Sequence, residues 1–436
     1  MTIRRNRLRA MPIAGASSLL LLTMLSQSGS VAVAANSKIS SIMPGTQSNE
    51  YQLPKVVTPL SYDLTFVPDF DKFTFDGSGS ITVNVKEPVQ TIVLNALDLQ
   101  IKNVFVSLKG SSADEQAGTV CLDAEHELAR ISFERQLKKG TYTLRLAFAG
   151  TLNDNLRGFY RSHYKDSNGV KHWLATTQME PTDARRMFPC FDEPEMKATF
   201  KLTAVIPQDM TAISNGAIER EEKDWQKHKK TVVFEASPKM SSYLVALIIG
   251  DFKCTGTRES CGIPVRVWAP AGKESLGHYA LDVACKVLSF QTEYFGLPYP
   301  GKKLDLIAIP DFRSGAMENL GAITFREASL LVDDKTGSNF LKRRVASIVA
   351  HEIAHQWFGD LVTMRWWDDI WLNEAFASWM ATKTVNDIYP EWQELTKSVL
   401  TRNESMNIDQ LKATRAIHAH VDNPKQAAEM FDPITY

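Results

Sequence analysis

The chain has 436 residues, with 49 Lys and Arg against 50 Asp and Glu, for a formal net charge of −1. Apolar residues at 44% and charged residues at 23% are the proportions of an ordinary globular protein, which excludes a fibrous or wholly disordered chain. Near-neutral charge leaves no electrostatic footprint for nucleic acid, five cysteines in this length exclude a disulfide scaffold, and ~150 residues per domain predicts about three domains.

Arg4, Arg5, Arg7 and Arg9 open the chain, and no charged residue follows from Ala10 to Ser37. Ala32-Val33-Ala34 then offers the small-x-small site that a signal peptidase needs. These features predict a cleaved signal peptide over residues 1–34, a polar linker over 35–50, and an exported protein, periplasmic or secreted. The alternative is an uncleaved segment that anchors the chain, and only then is membrane attachment expected. Export would permit disulfides. Cys254 and Cys261 flank a short Gly-containing turn and form the best pair, with two free thiols as the alternative. Cys121, Cys190 and Cys285 read as buried thiols.

From Tyr51 to Phe252 the sequence reads as short strands separated by turn residues. Examples are Ser80–Val85, Thr141–Leu146 and Thr231–Phe234, each alternating or rich in β-branched residues. Residues 51–252 are therefore expected to form a β-rich domain. Residues 253–436 read as mixed. Leu304–Ile309 and Ala322–Arg326 are predicted strands. A long helix begins at the N-cap Ser338 and carries an apolar stripe of Phe340, Leu341, Val345, Ile348, Val349, Ile353 and Trp357, with Gly359 as its stop. A second helix runs from Leu372 to Tyr389, before Pro390.

The chemistry sits on those two helices. The first carries His351-Glu352-Ile353-Ala354-His355. Histidines four apart share a helix face and can clamp one zinc ion. Glu352, one position round, can reach a metal-bound water without ligating the metal. Glu374 follows His355 after eighteen intervening residues and supplies a third ligand. Two His and one Glu, with one position left to water, make a catalytic zinc set. His126-Glu127-Leu128-Ala129-Arg130 has the same opening but lacks the second His, so it reads as plain surface.

Two further stretches stand out. Gly315-Ala316-Met317-Glu318-Asn319 lies between two strands, where a Gly-started loop can present backbone groups to an extended peptide. Glu318 there could pair with a substrate ammonium group, the alternative being an exposed carboxylate in a turn. Gln178–Pro194 is dense in Pro, aromatics and charge, as an ordered loop at an interface or site would be. Glu180 in it could supply a second carboxylate to the ammonium.

Taken together, Gly315–Asn319, His351–His355 with Glu374, and the Pro181-Thr-Asp-Ala-Arg…Phe-Pro-Cys-Phe-Asp-Glu-Pro194 stretch resemble the aminopeptidase N family of gluzincin-type zinc metallopeptidases. The resemblance runs from about Tyr51 to Tyr436. It implies an α+β chain: an all-β, saddle-like N-terminal domain, then a thermolysin-like zinc peptidase domain that is incomplete here. It implies that His351, His355 and Glu374 hold one zinc ion, that Glu352 is the general base, and that Glu318 and Glu180 recognise the free α-amino group. Phe431-Asp-Pro-Ile-Thr-Tyr436 resembles the family segment ending in the tyrosine that stabilises the transition state. The implied activity is removal of single N-terminal amino acids from peptides with a free N-terminus.

Family members continue well beyond this tyrosine, so the chain reads as a fragment with a frayed terminal residue and impaired turnover. Rival readings are an endopeptidase on the same zinc motif and a non-catalytic binding protein. His418 and His420 read as loop residues, Trp357, Trp366, Trp367 and Trp371 as core packing, and Lys342-Arg343-Arg344 as a solvated helix face.

Overall fold

The computed structural model describes residues 50–111 and 114–436. The expected signal peptide and nearly all of the expected linker lie outside the described residues. Strand patterning organises the first part. In Thr74–Val85, Ile81, Val83 and Val85 are fully buried while the residues between them are only partly covered, the two-residue period of a sheet with one face on the core. Ten strands form one sheet, and its long hairpin Val57–Asp69 with Thr74–Val85 lies beside Thr199–Pro207. The pairing of Val57–Asp69 with Thr199–Pro207 is parallel, so the chain between them must cross over. A second, four-stranded sheet contains Lys171–Gln178 paired with Gly158–Lys165, and its last residues lead directly to Glu180.

The sheet changes between Gly250 and Phe252. Phe252–Ser260 and Ile263–Pro270 form a hairpin that opens a five-stranded sheet, followed in space by Leu304–Ile309, Ala322–Arg326 and Ala316–Met317. All six residues of Leu304–Ile309 are buried, as a parallel-paired central strand covered on both faces requires. Ala316–Met317 is the edge of this sheet. The architecture is therefore α+β: a sheet-rich first part followed by a helical part. Among the described residues no helix is long and apolar enough to cross a membrane.

Of helices His278–Phe295, Asn339–His355 and Trp371–Ile388, the first two pack on the five-stranded sheet and the third packs on those two helices. The hydroxyl of Ser338 caps the second of them by accepting from Leu341 N at 3.3 Å. The buried stripe is shorter than expected: it starts at Val345, while Phe340 is 73% and Leu341 40% exposed. The helix stops at His355, and Gly359 lies beyond it at φ 136°, a left-handed conformation that glycine adopts without strain. Trp357 and Trp367 are buried in the core as expected.

Two expectations on cysteines and charge need correction, and of the two alternatives for Cys254 and Cys261 the free-thiol one holds. Cys254 and Cys261 are free thiols. They do not flank the turn: Cys254 lies within Phe252–Ser260 and Cys261 just past its end, so seven extended residues hold them about 23 Å apart. Cys121 is exposed, and of the remaining two only Cys190 is fully buried. Arg343 is not simply solvated, since its Nε donates to the partly buried Glu394 at 2.9 Å.

Candidate active site

The helix Asn339–His355 places His351 and His355 one turn apart, and their Nε2 atoms are 2.9 Å from each other. Glu374 enters from the first turn of Trp371–Ile388, with Oε2 3.2 Å from His351 Nε2 and 3.4 Å from His355 Nε2. Among the described residues these three form the one group of His, Cys, Asp or Glu whose donor atoms all lie within 4.8 Å.

The other ring nitrogens show which way the imidazoles face. His355 Nδ1 is 2.9 Å from the Phe358 carbonyl, which can only accept, so Nδ1 carries the proton and Nε2 presents a lone pair. His351 Nδ1 lies 3.4 Å from Ser378 Oγ, one helical turn beyond Glu374. With His351 in the same tautomer, three electron pairs converge on one point, an arrangement that repels itself unless a cation sits between them. The donor set fits zinc: two neutral nitrogens and one carboxylate, with outer partners orienting both rings.

Three more carboxylates surround the donor trio. Glu352 is 6% exposed, and burial followed by neighbouring Glu318 and Glu374 raises its carboxyl well above the ordinary value, against the pull of His355. Glu318 is 3% exposed, and burial likewise raises it. Burial and then Glu318 raise Glu180 well above the ordinary value. Glu180 Oε1 and Glu318 Oε1 are both buried without a hydrogen-bond partner among the described residues. Buried acceptors left unpaired are costly, so these two define a place for a donor-rich cation.

All of these groups line one cavity of about 280 Å³. Ala316 and Tyr436 line it too. Met317 and Asn319 do not: the strand Ala316–Met317 turns alternate residues to opposite sides, so Ala316 and Glu318 meet the cavity while Met317 is buried behind it. Met317 Sδ accepts from Gln178 there, and Asn319 Nδ2 donates to Thr324 Oγ1 at 3.1 Å, pinning the loop. Gly315 is exposed outside the cavity lining.

Tyr436 stacks obliquely over the site, its ring centroid 6.0 Å from that of His351. The segment before it is tied down by the chain itself. Arg415 makes a fork to Asp432, 2.9 Å from Nε and 2.8 Å from Nη2. Asp432 Oδ1 accepts in turn from the main-chain N–H of Ile434 and Thr435. His418 and His420 lie away from the cavity and face Asp369 and Asp368.

Sequence reasoning missed several residues. Ser378 sits four residues after Glu374 on the same helix face, a spacing that could have flagged it. Gln356 follows His355 directly and is fully buried, bonded to the Glu318 carbonyl. Arg157 and Arg313 reach the cavity only through tertiary folding. Asp360 is wholly buried with both carboxyl oxygens unpartnered among the described residues, and burial raises it well above the ordinary value.

A sheet-rich part joined to a helical part carries a metal-donor trio, an adjoining buried glutamate and a carboxylate-lined pocket. Residues 58–244 match the Peptidase M1 N-terminal domain and residues 279–436 the Peptidase family M1 domain. The chain belongs to peptidase family M1. It is 43% identical to "Aminopeptidase M1" of Arabidopsis thaliana over 389 residues, which is 89% of this chain and 44% of that protein. It is 40% identical to "Aminopeptidase 2, mitochondrial" of Saccharomyces cerevisiae, over 92% of this chain and 42% of that protein. It is 41% identical to "Puromycin-sensitive aminopeptidase" of Caenorhabditis elegans, over 88% of this chain and 41% of that protein. The chain spans less than half the length of the curated relatives it matches.

These relatives overturn the expected location. They come from a plant, a yeast and a nematode, and the one whose name states a compartment is mitochondrial. The expectation of a periplasmic or secreted protein is therefore withdrawn.

Proposed function

We propose that this chain carries the catalytic centre of a zinc-dependent aminopeptidase that removes single N-terminal residues from peptides with a free N-terminus. The observation that carries the reading is the pair of buried, unpartnered carboxylate oxygens of Glu180 and Glu318 beside the donor trio His351, His355 and Glu374. An endopeptidase needs no such pair, because the segment before its scissile bond is neutral.

A zinc ion held by the trio would supply Lewis acidity, lowering the pKa of a bound water towards ~7 and polarising the substrate carbonyl. Glu180 and Glu318 hold the substrate ammonium, which sets the scissile bond one residue in. Glu352 takes a proton from the attacking water and passes it to the leaving amine. The Tyr436 hydroxyl donates to the carbonyl oxygen as negative charge develops there. Residues 51–252 form the β-rich domain of this reading and residues 253–436 its catalytic domain.

The test is hydrolysis of a panel of aminoacyl-chromophores, each free and N-acetylated, with and without a zinc chelator. Chelator-sensitive cleavage of the free-amine forms alone is expected. Equal cleavage of the acetylated forms would move the answer to an endopeptidase. Free-amine binding without any cleavage would leave a binding protein.

A further inference from the structure

The cavity contains a cation that the proposed chemistry does not use. Arg313 lines it, is exposed, and has no ion pair or side-chain hydrogen bond among the described residues. The other arginine on the wall, Arg157, is already committed, with its Nε 2.8 Å from Asp183. The backbone that carries Arg313 is firmly seated. Phe312 before it is buried, and Arg326 donates to the carbonyl of Phe312 at 3.1 Å and to that of Arg313 at 2.6 Å. Arg313 thus offers a free guanidinium, from a firmly seated backbone position, on the wall of an otherwise acidic pocket.

A guanidinium in that setting selects a carboxylate. Without it, an acidic side chain would be repelled by Glu180, Glu318, Glu352 and Glu374, which line the same cavity. The chain position of Arg313 indicates which substrate carboxylate it meets. It lies five residues before Glu318, on the segment that carries the ammonium-binding end of the pocket. The two metal-site helices contribute no arginine to the lining. A side chain branching from the first residue's α-carbon, beside its ammonium group, therefore lies towards Arg313.

Resting on the aminopeptidase reading, we propose that Arg313 is a specificity-determining residue that favours peptides beginning with an acidic residue, Asp or Glu. The neutral backbone around it, Ser314 and Ala316, leaves the guanidinium as the chief source of discrimination at that wall.

The test is calorimetric binding to this chain with zinc supplied. The ligands are glutamate α-amide and leucine α-amide, the N-acetyl form of each, leucyl-glycine and leucyl-glycinamide. The proteins are the wild type, Arg313→Leu and Arg313→Lys. Glutamate amide is expected to bind at least as well as leucine amide. Arg313→Leu should lower the glutamate-to-leucine affinity ratio by about threefold to fivefold, the scale of a solvent-exposed ion pair, and Arg313→Lys should restore part of it. If free amines beat their acetylated forms but the ratio ignores Arg313→Leu, this inference falls and the aminopeptidase reading stands. If the substitution acts on leucyl-glycine relative to its amide instead, Arg313 meets the C-terminal carboxylate and the first-residue assignment is overturned. If free amines have no advantage, the functional reading falls and takes this inference with it.

Discussion

Gln356 Nε2 donates a 2.8 Å hydrogen bond to the main-chain carbonyl of Glu318, and its Oε1 accepts from Gly321 N at 3.1 Å. One fully buried amide, adjacent to His355, thus grips both sides of the loop that carries Glu318. Gln356→Met removes both bonds and leaves buried polar groups unpaired, a cost of roughly 1–3 kcal/mol. The expected result is about a tenfold fall in the affinity ratio of leucine amide to N-acetyl-leucine amide, with one zinc still bound per chain. An unchanged ratio would mean that the loop holds its geometry without this residue.

Gly359 is constrained twice. Its φ of 136° strains any side-chain-bearing residue, and a Cβ built there would lie 3.0 Å from His355 Nδ1, where that ring nitrogen meets the Phe358 carbonyl. Gly359→Ala should therefore disturb the orientation of His355 and weaken zinc binding by about 10-fold to 100-fold, as loss of an outer-shell partner does. Competitive titration against a chromogenic chelator measures this. Wild-type affinity in the variant would show that the ring does not depend on this turn.

Zinc should stabilise the folded chain, because its three donors assemble only on folding. At 100 times its dissociation constant the ion contributes about 2.7 kcal/mol. A thermal melt should shift up on adding zinc and return with chelator, and His355→Ala should abolish the shift. A shift that persists in His355→Ala would place the binding site elsewhere.

Glu352→Gln keeps the shape of the side chain and removes its basicity. In protein that turns over an aminoacyl-chromophore, kcat should fall by at least ~10² while zinc content stays at one per chain. Retained turnover would remove Glu352 from the role of base.

Lys303 is buried and links the two parts of the fold. Its Nζ lies 2.5 Å from the Ser214 carbonyl, 2.7 Å from that of Gly321 and 2.8 Å from Asp305. Burial pushes the Asp305 carboxyl up, but Lys303 and Arg266 more than reverse it, leaving it below the ordinary carboxylate value of 3.8. A depressed folded-state value means that this contribution is full above the unfolded value and is lost as pH falls through the folded one. Wild-type stability should accordingly drop below pH ~4, and Asp305→Asn, which strands the Lys303 charge, should cost about 3–5 kcal/mol near neutrality. Urea unfolding at pH 7 and pH 3 checks both, and the variant should lose less on acidification than the wild type. Equal acid sensitivity in the two proteins would exclude Asp305 as the source.

The convergence of His351, His355 and Glu374 was legible because its information is local. His351 and His355 share a face by helical periodicity alone, and Glu374 rides an equally readable helix that ends before Pro390. The strands Ser80–Val85 and Leu304–Ile309 were readable for the same reason, since burial imposes a periodic or continuous apolar pattern on the chain itself. Cys254 and Cys261 show the limit: seven residues apart in sequence reads the same whether the chain reverses between them or runs straight, and only the register of the hairpin decides. Glu180 was nameable by resemblance, but that it stands unpartnered beside Glu318 depends on a strand ending near an edge 138 residues further along. The grip of Gln356 on the Glu318 loop, the seating of Tyr436 by Arg415, and the free guanidinium of Arg313 on an acidic wall belong to the tertiary structure. Each sets side chains from separate elements within hydrogen-bonding or pocket distance, and no local periodicity encodes a contact between segments that meet only when the core closes.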